Sequence, residues 1–371
     1  MADAGLKAIT AKTTTTLQPP LFEILGLIAR SNWGTIWKTQ GQNSQFRALK
    51  QITRNQDPPH PMGIDYRKVP DTEVEFLQRL NKEGLSWVPT LFHSWEIQTK
   101  EGHQCHYQLM ELFDYDLLTY VKKWGHLWED AFSKPFRLAF ELGMKGIIHG
   151  DLQWNQFLLK VDAKDVIQKM AMSDFGFTSD VLDCGKSWFL EGWTVSKWQL
   201  GYFRYVQDAK DVMKRKLFAI YINIQQIVAS ILFWKMNVFL VRSDVPNTKE
   251  CKENKDTNTG MTLCVVKSFS FGKYHSVMES MIAPAQRKSI NTFYQTQMEA
   301  SLTHLAKCYG HIKGVTIQYS HYDFSRLFSD EIKAFLEHEL KLLTTTQALN
   351  KMVLDSSSSS GCSAVSVMKD D

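Results

Sequence analysis

The spacing of hydrophobic residues in the first third of the chain is typical of β-strands interrupted by one helix. Short, partly alternating runs at residues 22–38 and 45–52 are separated by the turn-prone stretch QGQNS. This pattern predicts a β-hairpin or the first three strands of a sheet. Residues 71–80 begin with an aspartate, a candidate N-cap, and continue with apolar side chains at helical spacing. The runs at 88–98 and 105–113 predict two further strands.

The periodicity becomes helical from Leu117 onward. Residues 131–147 predict a helix that ends near Gly143 or Gly146. The most apolar stretch, residues 216–235, contains three side-chain amides that a bilayer would penalise. It therefore predicts a buried core helix, and no membrane span is expected.

Two amphipathic helices are predicted nearer the C-terminus, at residues 287–310 and 330–343. Each places apolar side chains three and four positions apart, which is typical of a helix that packs on a core. Together with the strand-rich first third, these elements predict an α+β fold. It would consist of a small β-rich part, residues 21–113, and a larger helical part, residues 114–345.

Three segments are too polar or too repetitive to join a packed core. Residues 1–20 contain four consecutive threonines and end in two prolines, so they predict a flexible lead. The polar stretch near 243–260 predicts a surface insertion. The serine-rich residues 346–371 predict a disordered tail.

Composition narrows the classes of function. The 43 basic and 39 acidic residues leave a net charge of +4, too weak and dispersed to favour nucleic acid as a partner. The six cysteines show no paired spacing, which favours reduced thiols in a cytoplasmic setting or, as an alternative, a nuclear one. The N-terminus lacks the charged-then-apolar pattern of a signal peptide. Nothing in the sequence sets the oligomeric state.

Four charged residues occur in an order that points to one chemistry. Lys50 ends the strand segment RALK, and Glu73 lies on the helix predicted next. Asp151 lies in the loop HGDLQWNQFLL, and Asp174 lies in SDFGF. In these motifs the chain resembles the protein-kinase superfamily, whose strand lysine, helix glutamate, HxD loop and DFG turn follow one another in this order. The resemblance covers residues 22–235, and the divergence is similar to that of kinases from large DNA viruses.

The resemblance implies roles for these side chains in phosphoryl transfer. Lys50, paired with Glu73 or alternatively with Glu75, would hold the α- and β-phosphates of ATP. Asp174 would bind Mg²⁺ on the phosphate oxygens, and Asp151 would orient and deprotonate the acceptor hydroxyl. The implied activity is an ATP- and Mg-dependent protein kinase, with serine or threonine of a protein substrate as the expected acceptor.

The resemblance also implies the lining of a nucleotide pocket. The residues expected to contact ATP, besides Lys50, are Ile28, Ala29, Ser31, Gly34, Ile36, Ala48, Met110, Glu111, Phe113 and Leu158. Of these, Glu111 and Phe113 would present backbone groups to the adenine edge. Gln156 stands where the family has an asparagine, and it is the expected second ligand of Mg²⁺.

The sequence departs from the family pattern at several positions. Ala29 and Ser31 replace two glycines of the family's phosphate-binding loop. Gly150 replaces an arginine that in many family members grips a phosphorylated segment, which implies activity without that switch. The aspartate that supports the large lobe is expected at Asp208 or Asp211.

Three functions are compatible with these residues. The first is the active protein kinase. The second is a pseudokinase that acts as an interaction module, which Gln156 and the loss of loop glycines favour. The third is a small-molecule phosphotransferase, which the HGD loop and the missing A-P-E motif favour. The identity of the phosphate acceptor discriminates among them.

Overall fold

A computed structural model of the chain describes ten segments. They are residues 21–30, 34–54, 69–98, 104–124, 127–182, 211–233, 239–241, 261–281, 284–309 and 315–359. The predicted lead at residues 1–20, the predicted insertion at 243–260 and Ser31 lie outside them.

A five-stranded antiparallel sheet is built from the first third of the chain. Its strands are β1 (Phe22–Arg30), β2 (Gly34–Gly41), β3 (Phe46–Arg54), β4 (Leu91–Gln98) and β5 (Gln104–Glu111). They are ordered β1-β2-β3-β5-β4, so β3 and β5 lie next to each other inside the sheet. Of the two alternatives for residues 22–52, a hairpin or three strands, the structure has three strands, and the two further predicted strands are also present.

Helix α1 (Val69–Lys82) connects β3 to β4 and packs against β4. It begins two residues earlier than predicted, so Asp71 lies inside its first turn and is not the cap. Pro70 explains the early start, since a proline in the first turn loses no hydrogen bond that the helix would make. The face that α1 buries carries Glu73, Phe76, Leu77 and Leu80.

Six further helices lie within the described segments. They are α2 (Leu117–Trp124), α3 (Glu129–Met144), α4 (Val212–Phe233), α5 (His275–Ser280), α6 (Pro284–Tyr309) and α7 (Asp330–Ser359). Helix α3 ends as predicted, with Gly146 just beyond it in the left-handed region at φ +73°. Gly143 lies inside α3, at a point where the helix packs closely on α4. A Cβ there would overlap the backbone of Ile220, which explains the glycine at this position.

Helix α4 is the buried core helix that its apolar sequence predicted. Its buried side chains are Leu217, Phe218, Ala219, Ile220, Tyr221, Ile222, Asn223, Ile224, Gln225, Gln226, Ile227, Val228, Ser230 and Ile231. Among the described residues, no helix combines the length and the apolar character needed to cross a membrane.

The C-terminal boundary differs from the prediction. The serine-rich tail was expected from residue 346, but α7 continues as a helix to Ser359. The helix accommodates its threonines, since the hydroxyls of Thr344, Thr345 and Thr346 donate to carbonyl oxygens one turn earlier. Residues 360–371 lie outside the described segments.

Short strands complete the second part of the chain, which is therefore less purely helical than predicted. They are β6 (Tyr115–Asp116), β7 (Leu127–Trp128), β8 (Ile147–Ile148), β9 (Phe157–Val161), β10 (Ile167–Met172), β11 (Ser179–Asp180), β12 (Phe239–Val241), β13 (Met261–Ser270) and β14 (Val315–Asp323). The sheets are ordered β10-β9-β6, β11-β8 and β14-β13-β12-β7. The fold is mixed α+β, as the sequence predicted.

Candidate functional site

Three of the predicted site residues meet at one ammonium group. Lys50 Nζ donates to both carboxylate oxygens of Glu73, at 2.7 and 2.8 Å, and to Asp174 Oδ1 at 3.0 Å. Glu73, and not the alternative Glu75, is thus the partner of the strand lysine. Burial lowers the pKa of Lys50, but the charges of Asp174 and Glu73 outweigh it and raise the pKa above its usual value. The lysine is therefore a permanent cation.

Close packing holds the Asp174 turn against α1. The turn continues into a 3₁₀ segment, Phe175–Phe177, which packs on α1. Gly176 allows this contact, since a Cβ there would overlap the side chain of Val69. Because α1 also carries Glu73, this packing fixes both carboxylates relative to Lys50.

The backbone of Asp174 is in an uncommon conformation. Its φ of 66° and ψ of 55° lie in the left-handed region, which is unfavourable for a residue other than glycine. Such strain persists when the surroundings fix it, and it concentrates at functional sites. Burial raises the pKa of the Asp174 carboxyl, but Lys50 and a hydrogen bond from Gln156 outweigh it, so the pKa is lowered and the group is an anion.

His149 connects the HGD loop to the Asp174 turn. Its Nε2 lies 2.8 Å from the carbonyl oxygen of Ser173, and its ring lies 5.1 Å from the ring of Phe175. Burial lowers the pKa of His149 to about 4, so the imidazole is neutral near pH 7. A neutral ring that donates from Nε2 accepts at Nδ1, where the Asp151 N–H approaches to 3.4 Å.

Gly150 is a glycine for a steric reason. Its φ is +85°, and a Cβ at this position would overlap the carbonyl oxygen of Phe177. The loop and the Asp174 turn therefore approach each other more closely than any larger residue allows. The arginine that the family often has at this position would not fit this geometry.

Helix α4 supplies polar side chains that hold the loop, and the sequence did not reveal this role. Asn223 Oδ1 accepts from the His149 N–H at 3.0 Å, and its Nδ2 donates to the Ile147 carbonyl at 2.9 Å. Gln226 Oε1 accepts from the Leu152 N–H, and Ser230 Oγ accepts from the Trp154 N–H. These three side chains lie three and four residues apart, so they share one face of α4.

The structure describes one of the two candidates for the supporting aspartate near the start of α4. Asp211 Oδ1 accepts from the N–H groups of Met213 and Lys214, so it caps α4. Asp208 lies outside the described segments. The spacing of polar residues on the otherwise apolar α4 was the signal that could have identified the loop-holding face.

Asp151 lies between solvent and the buried cluster, and its side chain is half-buried. Burial raises the pKa of its carboxyl to about 8, with the charge of Asp174 acting in the same direction and a hydrogen bond from Gln153 opposing it. Gln153 Nε2 donates to Asp151 Oδ1 at 2.5 Å. In the ligand-free protein this carboxyl is therefore largely protonated at neutral pH.

The two predicted metal ligands are brought together. Gln156 is buried, and its Nε2 lies 3.2 Å from Asp174 Oδ2. Reversing the amide would direct its oxygen at the same point, and carboxylate and amide oxygens are ligands that Mg²⁺ accepts. An amide oxygen turned this way and the Asp174 carboxylate are the two ligands that this part of the site could offer a magnesium ion.

A second cluster of metal-ligating residue types lies where α1 meets β4 and β5. Asp71, Glu96 and His106 place one ligand atom each within 4.8 Å of one another, on α1, β4 and β5. His106 Nδ1 lies 3.4 Å from Glu96 Oε1. These contacts describe a polar cluster that connects α1 to the sheet.

Among the described residues predicted to line a nucleotide pocket, all but Phe113, which follows β5, lie on β1, β2, β3, β5 and β9. Ala48 is buried and pairs with Met110 across β3 and β5, and Ile36 pairs with Lys50 across β2 and β3. Ile28 and Ala29 are exposed on β1. Leu158 lies on β9 and pairs with Asp116, which follows the end of β5.

Gly34 was expected to contact phosphate, but the structure gives it a packing role. A Cβ at Gly34 would overlap the backbone oxygen of Gln51 on β3. The absence of a side chain therefore allows β2 and β3 to pair closely at this point. This requirement exists whether or not a phosphate binds.

Glu111 and Phe113 form a polar rim beside β5. The Glu111 carboxylate accepts from Lys160 at 2.6 Å and from Lys169 at 2.8 Å, and both ammonium groups also lie over the Phe113 ring. Burial raises the pKa of Glu111, but these lysines outweigh it and lower the pKa. The Glu111 N–H donates to the Thr90 carbonyl, so the backbone group that Glu111 can offer a ligand is its own carbonyl.

Comparison with known proteins adds no family assignment. No family model matches the chain, and no curated protein matches it. The chemistry of the site therefore has to be argued from its own geometry. That geometry is a half-buried lysine held by two carboxylates, with a third carboxyl group, Asp151, on a loop fixed by α4.

Proposed function

We propose that the chain is an ATP- and Mg²⁺-dependent protein kinase that transfers the γ-phosphate to a serine or threonine hydroxyl. The observation that supports it most directly is the Lys50 ammonium, bonded to Glu73 at 2.7 Å and to Asp174 at 3.0 Å. A lysine with a raised pKa is unsuited to act as a base or a nucleophile. It is suited to bind the phosphates of a nucleotide.

A two-lobed arrangement accompanies this proposal. The sheet β1–β5 and α1 would form the smaller lobe, residues 21–113, and residues 114–345 would form the larger one. The adenine would lie between Ala48 of the smaller lobe and Leu158 of the larger, near the connection after β5. The apolar character of both side chains supports this placement.

The metal ligands of the proposed reaction are Asp174 and Gln156. A bound magnesium ion would neutralise charge on the phosphate oxygens of ATP. Asp174 supplies an anion, and Gln156 supplies a neutral oxygen once its amide is reversed. Lys50 would transfer part of its bonding from Asp174 to the α- and β-phosphates.

Asp151 would orient the acceptor hydroxyl and take its proton. This role requires the ionised carboxylate, whereas burial holds the pKa of Asp151 at about 8 in the ligand-free protein. A divalent cation placed beside Asp174 favours ionisation of nearby carboxyl groups. Binding of the metal and nucleotide would thus prepare Asp151 for catalysis.

A pseudokinase that binds nucleotide but transfers no phosphate is the second candidate. The observation that favours it is the hydrogen bond from Gln153 to Asp151 at 2.5 Å, combined with the raised pKa of that carboxyl. A protonated acid already engaged by an amide is a poor general base. Nucleotide binding would then serve to rigidify an interaction module.

The test measures binding and transfer on the same proteins. The wild-type chain, Asp174→Asn and the control Asp330→Asn, an exposed position at the start of α7, are titrated with ATP with and without Mg²⁺ in a thermal-shift assay. Ligand at about 100 times its dissociation constant adds about 2.7 kcal/mol of stability, a rise of several degrees. We expect a Mg²⁺-dependent rise in the wild type and the control, and its loss in Asp174→Asn.

Transfer of labelled γ-phosphate then separates the functions. A mixed set of protein acceptors and a set of small hydroxyl and amine compounds are tested with the wild type. Label on protein serine or threonine supports the protein kinase, and label on small compounds alone replaces it with a phosphotransferase. Binding without any transfer supports the pseudokinase. A folded wild-type protein that does not respond to ATP refutes both proposals.

A further inference from the structure

Gln108 is a fully buried polar side chain on an inner strand of the sheet. It lies on β5 between Lys50 of β3 and Ser94 of β4, with which it pairs in the ladders. Its side chain has no exposed surface, and the next residue, Leu109, is also buried. An amide so completely removed from water needs a reason, because an apolar side chain would be easier to bury.

The amide of Gln108 points at the glutamate of the candidate site. Its Nε2 donates to Glu73 Oε2 at 3.1 Å. Its own Oε1 is buried and has no hydrogen-bond partner among the described residues. Burying an unpaired acceptor is unfavourable, so the contact with Glu73 comes at a cost in stability.

This contact changes what holds the Glu73 carboxylate. Lys50 reaches both of its oxygens, and Gln108 adds a third donor. Burial raises the pKa of Glu73, while the bonds from Lys50 and Gln108 act in the opposite direction. Lys50 and Gln108 both stand on inner strands of the sheet, but the Lys50 side chain is long and partly exposed, whereas the shorter Gln108 side chain is fully buried. Gln108 therefore anchors the carboxylate to a rigid element.

We propose that Gln108 is a positioning residue that orients Glu73, and through Glu73 the Lys50 ammonium, before nucleotide binds. The assignment deepens the proposed phosphoryl transfer and rests on it for its functional meaning. When Lys50 shifts part of its bonding to phosphate, Gln108 keeps the carboxylate in place. The site is thereby preorganised for the charge of the nucleotide.

The first test compares matched glutamine variants. Gln108→Met keeps the length of the side chain and removes the donor, and Gln51→Met makes the same change on β3 at a glutamine that contacts Cys105 and not Glu73. We expect kcat/KM for ATP to fall by about tenfold or more in Gln108→Met only. In a Glu73→Gln background the same replacement should have no further effect, because the two residues act as one unit. Equal kcat/KM in Gln108→Met and the wild type would overturn the proposal.

A pH profile separates positioning from mere packing. In Gln108→Glu the introduced carboxyl repels Glu73 when ionised but donates a hydrogen bond to it when protonated. We expect the loss of activity to be recovered as the pH is lowered, relative to the wild-type profile. A loss that is the same at every pH contradicts the proposed role. If Gln108→Met does not fold, Gln108→Leu and this profile provide the test.

A measurement without nucleotide keeps the two proposals separable. Acylation of Lys50 by an amine-selective reagent is followed by mass spectrometry in the absence of ATP. If Glu73 loses its anchor, it holds the Lys50 ammonium less firmly, so the amine is more accessible to the reagent and the reaction accelerates several-fold. Acceleration in Gln108→Met but not in Gln51→Met supports the positioning role even if the wild type transfers no phosphate. Unchanged acylation together with active wild-type protein overturns it.

Discussion

Replacing Asn223 by leucine tests whether α4 sets the geometry of the HGD loop. The two side chains have similar volume, so the substitution removes polar contacts and leaves no large cavity. In the native protein Asn223 bonds the His149 N–H at 3.0 Å and the Ile147 carbonyl at 2.9 Å. It has no exposed surface, so water cannot replace these bonds without a rearrangement.

The magnitude follows from the two backbone groups that lose a partner. Each buried group left without a hydrogen bond costs about 1–3 kcal/mol, which gives a loss of about 2–6 kcal/mol in the free energy of unfolding. The third contact of Asn223, with the Ala139 carbonyl at 3.4 Å, adds little because that oxygen lies inside helix α3. At about 2–4 °C per kcal/mol, the melting temperature should fall by roughly 4–24 °C.

The assay is urea denaturation with Asn291→Leu as the matched control. Asn291 lies exposed on α6, so its replacement should change stability by less than about 0.5 kcal/mol. Hydrogen exchange of the His149 amide reports on the loop itself, and its protection should fall in Asn223→Leu. A variant within about 1 kcal/mol of the wild type, with unchanged protection, would refute the role assigned to α4.

Three other substitutions test the loop and α1. Gly150→Ala should lower the free energy of unfolding by about 2 kcal/mol or more, because φ is +85° and a Cβ would overlap backbone atoms. The control Gly84→Ala, at φ +73° in open space, should lower it by about 1 kcal/mol. Equal losses in the two denaturation curves would contradict the steric argument. Asp151 has a folded pKa of about 8, above its ordinary 3.8, so the native state keeps a proton that the unfolded state releases, and stability falls as the pH rises between these values. The free energy of unfolding of Asp151→Asn, relative to the wild type, should therefore rise by about 1–3 kcal/mol as the pH is raised from 5 to 9. Parallel pH profiles of the two proteins would argue against this. Asp180→Asn should weaken the 2.6 Å bond from Arg79 and increase hydrogen exchange in α1, and unchanged exchange would show that packing alone holds this helix.

Local sequence patterns identified most of the elements of this fold. The strands β1–β5 and the helices α1, α3, α4, α6 and α7 follow from alternation or from helical spacing of apolar residues. These signals are strong because each element buries one face on a core. The strands β13 and β14 were not predicted, although they pair in parallel with each other. Each of these strands pairs with a segment that is distant in sequence, so no short hairpin turn next to it identifies it as a strand.

The candidate site also has features that the sequence predicted and features that it did not. The order of Lys50, Glu73, Asp151 and Asp174 was legible in the sequence, and the first, second and fourth meet in the structure. Which glutamate would pair with Lys50 depended on the face that α1 turns to the sheet, which helical spacing indicated only in part. The close approach between Gly150 and the Phe177 backbone could not be predicted, because the sequence does not show which atoms a glycine contacts.

The sequence by itself determined the element types, the α+β class and the residue types of the charged cluster, since these depend on short-range spacing and on side-chain chemistry. Only the tertiary structure decided which polar residues support the cluster. Asn223 and Gln108 reach their partners across 74 and 35 positions of sequence, respectively. The sequence does not show which group a buried amide will bond, because the hydrogen bond that offsets the cost of its burial forms only once the two segments have packed.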